Sequence, residues 1–418
     1  MPQQPAIAST AGIGHRAEPP RGPEGPLPES GGELSFLQPI PRYLVHRQAV
    51  AEVFITDAVA VAEDRFLVAA QWPRDHAMYY PDEAGISDPL LFAETIRQAL
   101  VYLAHRYYGV PLSHRFIGSD IDFEITDPAR LRVGAAPIPV VLEAHWTWAA
   151  NKPPHRYGMR LEVTLTVDGQ ACGRGGLRVI AVDDKRYALL RGKAARSHAT
   201  ARAGGSGPAA TYRTPGRKMP AAAVGRLRVK DSVLARGAHE AYGATGVPGG
   251  VGVPGEAGAP GAAGRPAQPG QSGQTAESDQ PAQSGQTAQP GQPVPRQDEF
   301  NQWWLALDLD HAILFDHPSD HTPLMATLEG FRQLGHLLVR ESAQGAGTPG
   351  EPPALVSLAT DCLAFGELDA PIGLVVREDR TAPDDRGAPV RRFVIDAVQN
   401  GKVLATSTTG WLLAHHSA

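Results

Sequence analysis

Two helical words carry the most chemistry in this chain: Glu94-Thr95-Ile96-Arg97-Gln98 and Glu329-Gly330-Phe331-Arg332-Gln333. In each, a carboxylate, a guanidinium and an amide stand three and four residues apart, so they project from one side of a helix. The surrounding helices are otherwise apolar. Phe92, Ile96, Ala99, Leu100 and Leu103 form one stripe, and Leu90, Val101 and Ala104 lie towards the other side. Such a helix is buried, and burying polar groups is costly unless they pair or act. Two readings follow. In one, Glu and Arg form a satisfied pair that fixes how two halves dock. In the other, one carboxylate is a general acid or base whose partner comes from the other half. Burial raises a carboxylate pKa and a neighbouring arginine lowers it, so the spacing leaves the resultant open.

A second cluster, Asp316-His317-Pro318-Ser319-Asp320-His321, stands just before the second helix. Its partial echo in the first half is Trp72-Pro73-Arg74-Asp75-His76. His and Asp are good metal ligands, but this spacing matches no recognised zinc pattern, so no metal is expected. His76 and His321 are expected to order their loops by hydrogen-bonding backbone.

The elements that hold these groups recur. Val45–Ile55 resembles Val224–Leu234, and the alternating part of each predicts a strand. The Glu-x-x-Arg-Gln helix follows. Phe116-x-x-x-Asp120 is then echoed by Phe365-x-x-x-Asp369. Alternation predicts strands at Val140–Trp148, Arg160–Val167 and Gly175–Val182, then at Gly373–Arg377, Val390–Val398 and Val403–Leu413. Each half therefore reads as two strands, one long helix and several further strands. That α+β pattern predicts two tandem hot-dog folds, each an antiparallel sheet wrapped around a central helix, together forming a pseudo-dimer.

Composition sets the boundaries. Residues 1–35 are rich in Pro, Gly, Glu and Ala and are expected to be disordered. Repeat 1 is assigned to 36–192, an interdomain linker to 193–218, and repeat 2 to 219–416. Repeat 2 carries a disordered Gly/Pro/Gln-rich insert at 237–298. Glycines at 243, 246, 249, 252, 255, 258, 261 and 264 have collagen-like spacing, but a short tract of this kind reads as a flexible insert. Net charge is −5 with no long basic run, which argues against nucleic acid. Cys172 and Cys362 are the two cysteines, which excludes a disulfide framework and fits a cytoplasmic setting. No stretch has the ~18 uninterrupted apolar residues of a membrane span.

These residues resemble the A-factor biosynthesis (AfsA-type) family of actinomycetes, the γ-butyrolactone autoregulator synthases. The matching words in the first half are Val45-His46-Arg47, Gln71–His76, Asp88–Gln98 and Ala104–Pro111. In the second half they are Val224-Gly225-Arg226, Asp316-His317-Pro318-x-Asp320-His321, Glu329-x-x-Arg332-Gln333 and Glu367–Pro371. The resemblance implies transfer of a β-ketoacyl group from acyl carrier protein to the hydroxyl of dihydroxyacetone phosphate, with no cofactor. It implies Glu94 and Arg332 as catalytic residues, with Arg97, Gln98, Glu329, Gln333, His317, His321 and His76 in support. On that footing Glu94 is the expected general base. The helix start at Asp88–Leu91 supplies oxyanion donors, and Arg332 binds the oxyanion or the phosphate. Arg97 and Glu329 form the mirror pair. Pro323-Leu324-Met325 and Gly330-Phe331 depart from the family's Pro-Gly-Met and Ala-Ala, and the long insert is atypical. Alternative readings are a hot-dog thioester hydrolase, a β-hydroxyacyl dehydratase, or a non-catalytic acyl-binding regulator.

Overall fold

The computed structural model describes residues 34–201, 212, 214–237, 303–345 and 353–413. Repeat 1 comprises β1 (Ile55–Ala62), β2 (Arg65–Trp72), α1 (Leu90–Arg106), β3 (Arg115–Ile125), β4 (Ile138–Trp148), β5 (Arg156–Val167) and β6 (Gln170–Val182). A helix, α2 (Asp184–Ala201), follows. Repeat 2 comprises β7 (Arg217–Lys218), β8 (Leu234–Arg236), β9 (Trp303–Leu305), α3 (Leu324–Gly345), β10 (Ala354–Cys362), β11 (Gly373–Pro383), β12 (Pro389–Gln399) and β13 (Lys402–Leu412).

Among the described residues the strands form one continuous sheet, in the order β1-β2-β4-β5-β6-β3-β10-β13-β12-β11-β9-β8-β7. Each repeat contributes half, in mirrored order. The halves join where β3 runs antiparallel to β10, with Phe123 opposite Leu358 and Asp120 opposite Asp361. The tandem hot-dog architecture is therefore present. Strand side chains alternate as the pleat requires: along β4, Ile138, Val140, Leu142, Ala144 and Trp146 point inward.

α1 is apolar on every side because it lies inside the wrapped sheet. At its start, Asp88 Oδ1 accepts the Leu90 amide at 2.8 Å. Gly109, at a φ of 64°, ends it, and the Val110 amide returns to the Ala104 carbonyl at 3.0 Å. α3 packs on its half-sheet through two glycines. A methyl group at Gly330 would collide with Leu305 of β9, and one at Gly335 with Trp411 of β13.

Two expectations are corrected. Val45–Ile55 is not a strand. It holds a 3-10 turn at Arg42–Val45, a left-handed His46 and a second turn at Val50–Glu52, and β1 begins only at Ile55. Val224–Leu234 repeats this with Gly225 left-handed. Phe365–Asp369 is a loop after β10, whereas Phe116–Asp120 lies in β3, so the two are not counterparts. α2 runs from the end of repeat 1 to Ala201, within the expected linker. The expected disordered segments lie outside the described residues, save 34, 35 and 237. The chain leaves repeat 2 at β8 and re-enters at β9, and these two strands pair, Leu234 opposite Leu305.

Candidate active site

Glu94 is almost wholly buried, and five nitrogens converge on its carboxylate. Arg47 Nε, Arg97 Nη2 and Gln98 Nε2 donate to Oε1 at 2.9, 2.8 and 2.7 Å. Arg97 Nε and Arg47 Nη2 reach Oε2 at 2.9 and 2.6 Å. Burial pushes this carboxyl up, but Arg47 and Arg97 outweigh it and hold the pKa at about 2. Gln98 also ties the helix to the segment before β1: its carbonyl accepts the Phe54 amide at 2.9 Å, and its amide donates to the Glu52 carbonyl at 2.7 Å.

Repeat 2 builds the same nest. Glu329 is held by Arg226 at 2.7 and 2.5 Å, by Arg332 Nε at 3.1 Å and by Gln333 at 2.5 Å. Gln333 accepts the Val233 amide at 2.8 Å, as Gln98 accepts Phe54. Arg332 Nη2 donates to the Val224 carbonyl at 2.8 Å, as Arg97 Nη2 does to Val45 at 3.3 Å. Burial again opposes ionisation of Glu329, and Arg226 and Arg332 overcome it, so its pKa is lowered.

The structure therefore places Glu94 and Arg332 in separate nests, each glutamate taking its guanidiniums from its own repeat. Arg47 and Arg226 make the link across the pseudo-twofold instead. Arg47 Nη1 reaches the Ile313 carbonyl at 3.5 Å and Asp316 Oδ1 at 3.4 Å. Arg226 Nη1 reaches the Met78 carbonyl at 2.8 Å and Asp88 Oδ2 at 2.6 Å. The sequence signal that finds these two arginines is the Val-x-Arg word, present in both halves.

His76 orders the loop that presents Met78. Its Nδ1 accepts the Met78 and Tyr79 amides at 3.2 and 3.0 Å, and its ring stacks on Tyr79. Its Nε2 faces Glu52 at 3.3 Å, without hydrogen-bond geometry. The counterpart in repeat 2 is His311, not His321. His311 Nδ1 accepts the Ile313 and Leu314 amides at 3.3 and 3.2 Å, and its Nε2 meets Asp231 at 3.0 Å. His76 and His311 are thus interior struts.

A cavity of about 600 Å³ opens between the repeats. Arg47 and Arg97 stand on its repeat 1 wall, above apolar Val101, Phe116, Leu177 and Val179. The opposite wall is the loop into α3, with Asp316, His317, His321, Leu324 and Met325, backed by Ile372 and Leu404. Glu94 lies behind the two arginines. α3, not α1, begins at this cavity. At the start of α1, Asp88 accepts the Leu90 amide and receives Arg226.

The loop wall carries two Asp–His dyads in succession. Asp316 Oδ1 lies 2.6 Å from His317 Nδ1, and Asp320 Oδ1 lies 2.7 Å from His321 Nδ1. A histidine whose Nδ1–H is given to a carboxylate presents Nε2 as a lone pair. Asp316 is buried and also accepts the Gln48 amide at 3.1 Å. Burial raises its pKa, but His317 and Arg47 prevail and the pKa is lowered. His321 is lowered by burial, against the pull of Asp320.

One asymmetry separates the nests. His46 occupies the left-handed position of repeat 1 and meets His105, Nε2 to Nε2, at 2.9 Å. His105 gives its Nδ1–H to the Val110 carbonyl at 2.6 Å, so the shared proton belongs to His46. Burial, then His105 and Arg97, lower the His46 pKa to about 3. In repeat 2 the position is Gly225, and the His336 ring fills the space a side chain there would need.

A helix-wrapped sheet duplicated in one chain, with a polar nest in each half and a cavity across the pair, defines a double hot-dog protein. The profile of the A-factor biosynthesis hotdog domain (AfsA) matches residues 31–183 and 284–414, and the chain belongs to that family. It is 30% identical to a 2-oxo-3-(phosphooxy)propyl 3-oxoalkanoate synthase of Streptomyces virginiae over 332 residues, covering 79% of this chain and 85% of that protein. A synthase of the same name from Streptomyces griseus subsp. griseus is 29% identical, over 84% of this chain and 87% of its own. Among solved structures, a hot dog fold protein from Alicyclobacillus acidocaldarius is 13% identical, with a TM-score of 0.36, over 85% of this chain and 95% of its own.

Proposed function

We propose that this chain transfers a β-ketoacyl group from the thioester of acyl carrier protein to the hydroxyl of dihydroxyacetone phosphate. The observation that carries this reading is the juxtaposition of two guanidiniums, Arg47 and Arg97, with an otherwise largely apolar cavity and an Asp–His dyad. A phosphorylated acceptor needs the first, an acyl chain the second, and deprotonation of a hydroxyl the third.

The roles differ from those expected at Glu94 and Arg332. A carboxylate saturated by five donors, with a pKa near 2, is a poor proton acceptor. Glu94 serves instead as the anchor that fixes both guanidiniums: Arg47 is further tied to Ile313 and Asp316, and the outer edge of Arg97 binds phosphate or the thioester oxyanion. Arg332 holds the matching nest of repeat 2. His317 Nε2, set by Asp316, takes the hydroxyl proton as the oxygen attacks the thioester carbon. The C–S bond then breaks, and the proton passes to the departing thiolate.

The test combines a β-ketoacyl thioester of acyl carrier protein with and without dihydroxyacetone phosphate, followed by mass spectrometry. Phosphorylated ester formed only with the acceptor supports transfer. Equal thioester loss without it supports hydrolysis, the rival chemistry an Asp–His dyad equally permits. His317→Asn is expected to lower kcat by about 10²–10⁴-fold, the usual range for a general base. A turnover number equal to wild type in that variant removes His317 from the mechanism.

A further inference from the structure

The helix that joins the repeats reaches back to the cavity. Asp183 stands just before α2, and its carboxylate accepts the Arg186 amide at 2.8 Å and so caps the first turn. One and two turns on, Tyr187 and Arg191 project onto repeat 2. Arg191 forks onto Glu367 at 2.8 and 2.7 Å, donates to the Asp320 carbonyl at 2.8 Å and reaches Asp320 Oδ2 at 3.2 Å. Its guanidinium lies 4.8 Å from the centre of the Phe365 ring, and His321 packs edge-on against that same ring at 4.9 Å. The Tyr187 hydroxyl donates to Asp320 Oδ1 at 2.6 Å and stands 3.3 Å from His321 Nδ1.

These contacts converge on the second dyad. Asp320 is itself about half exposed, and an exposed aspartate on a loop orients a histidine poorly unless it is fixed. Arg191 and Tyr187 fix it from outside the loop. A bidentate fork together with a ring contact is a rigid attachment, unlike a lone surface ion pair.

We propose that Arg191 and Tyr187 of α2 are positioning residues: they clamp Asp320 so that His321 keeps Nδ1–H towards that carboxylate and Nε2 available to a substrate in the cavity. The connection between the repeats is then a working part of the site. The consequence for turnover rests on the acyl-transfer reading above. The effect on the imidazole does not.

The experiment uses the full chain with ¹⁵N-labelled histidine, His321 being assigned by its loss in His321→Asn. In wild type the ¹⁵N shifts of His321 should report the Nδ1–H tautomer. In Arg191→Gln, and further in Arg191→Gln with Tyr187→Phe, they should move towards the Nε2–H tautomer that an untethered imidazole prefers. Arg191→Lys keeps the charge and loses the fork, so it should restore the tautomer only in part. With active wild type, kcat should fall about tenfold in Arg191→Gln, with KM for dihydroxyacetone phosphate within twofold, because Arg47 and Arg97 are untouched. An unchanged His321 tautomer in the double variant overturns the clamp. A shifted tautomer with unchanged kcat overturns its part in the site. If wild type makes no ester, the acyl-transfer reading fails, and the tautomer alone decides whether α2 orients the dyad.

Discussion

At the scale of single residues, Glu94 is held by so many donors that its removal leaves two guanidiniums, Arg47 buried and Arg97 half-buried, short of a counter-charge. Glu94→Gln should cost about 3–5 kcal/mol, the range for breaking a buried pair, read as a fall in urea midpoint. Ester formation should fall with it through a raised KM for dihydroxyacetone phosphate, since the arginines lose their mount. The ionised form also makes stability depend on pH. Glu94 titrates near 4.5 unfolded and at about 2 folded. Its contribution is thus fully present above pH 4.5 and is lost as pH falls through 2, by about 3 kcal/mol. His46 and His336 are likewise depressed, from 6.5 to about 3, chiefly by burial. The unfolded chain takes up those protons first, so stability should begin to decline below pH 6.5. Urea midpoints from pH 7 to 3 check this, and His336→Gln should flatten the upper part of the slope.

At the scale of elements, α3 packs on its half-sheet through glycines. Gly335 leaves room for the Trp411 indole, so Gly335→Ala should destabilise by about 1–3 kcal/mol despite the better helix propensity of alanine. A rise in melting temperature would show that the indole can move aside. The central helices and β4–β6 with β11–β13 were legible because alternation and all-round apolarity are local signals. Val45–Ile55 was not. Val45, Val53 and Ile55 are buried from two tight turns on either side of His46, and their odd-numbered spacing alone does not separate that from a strand. The Phe365–Asp369 echo misled for a related reason, since the same letters serve a strand in one half and a loop in the other. The candidate site was legible only as a pair of expensive helical words. Their partners, Arg47 and Arg226, come from far along the chain, and which half each arginine serves is decided by tertiary packing. The Asp–His dyads were visible as letters, but their place on the cavity wall was not.

At the scale of the whole molecule, the long insert begins and ends on paired strands, Arg236 lying opposite Trp303. Its two ends are therefore neighbours, and a short turn can bridge them. Deleting Gly243–Gly291 should leave the melting temperature within about 2 °C, because the closure entropy of a loop changes slowly with its length. Loss of soluble protein would instead give the segment a folding role. The seam of β3 and β10 has a different bearing. Because that ladder runs unbroken from one repeat into the other, the halves are not free to swing apart as a hinge would let them. The walls of the cavity then keep a fixed spacing, and the length of acyl chain admitted is set by the side chains that line it rather than by movement of the two lobes.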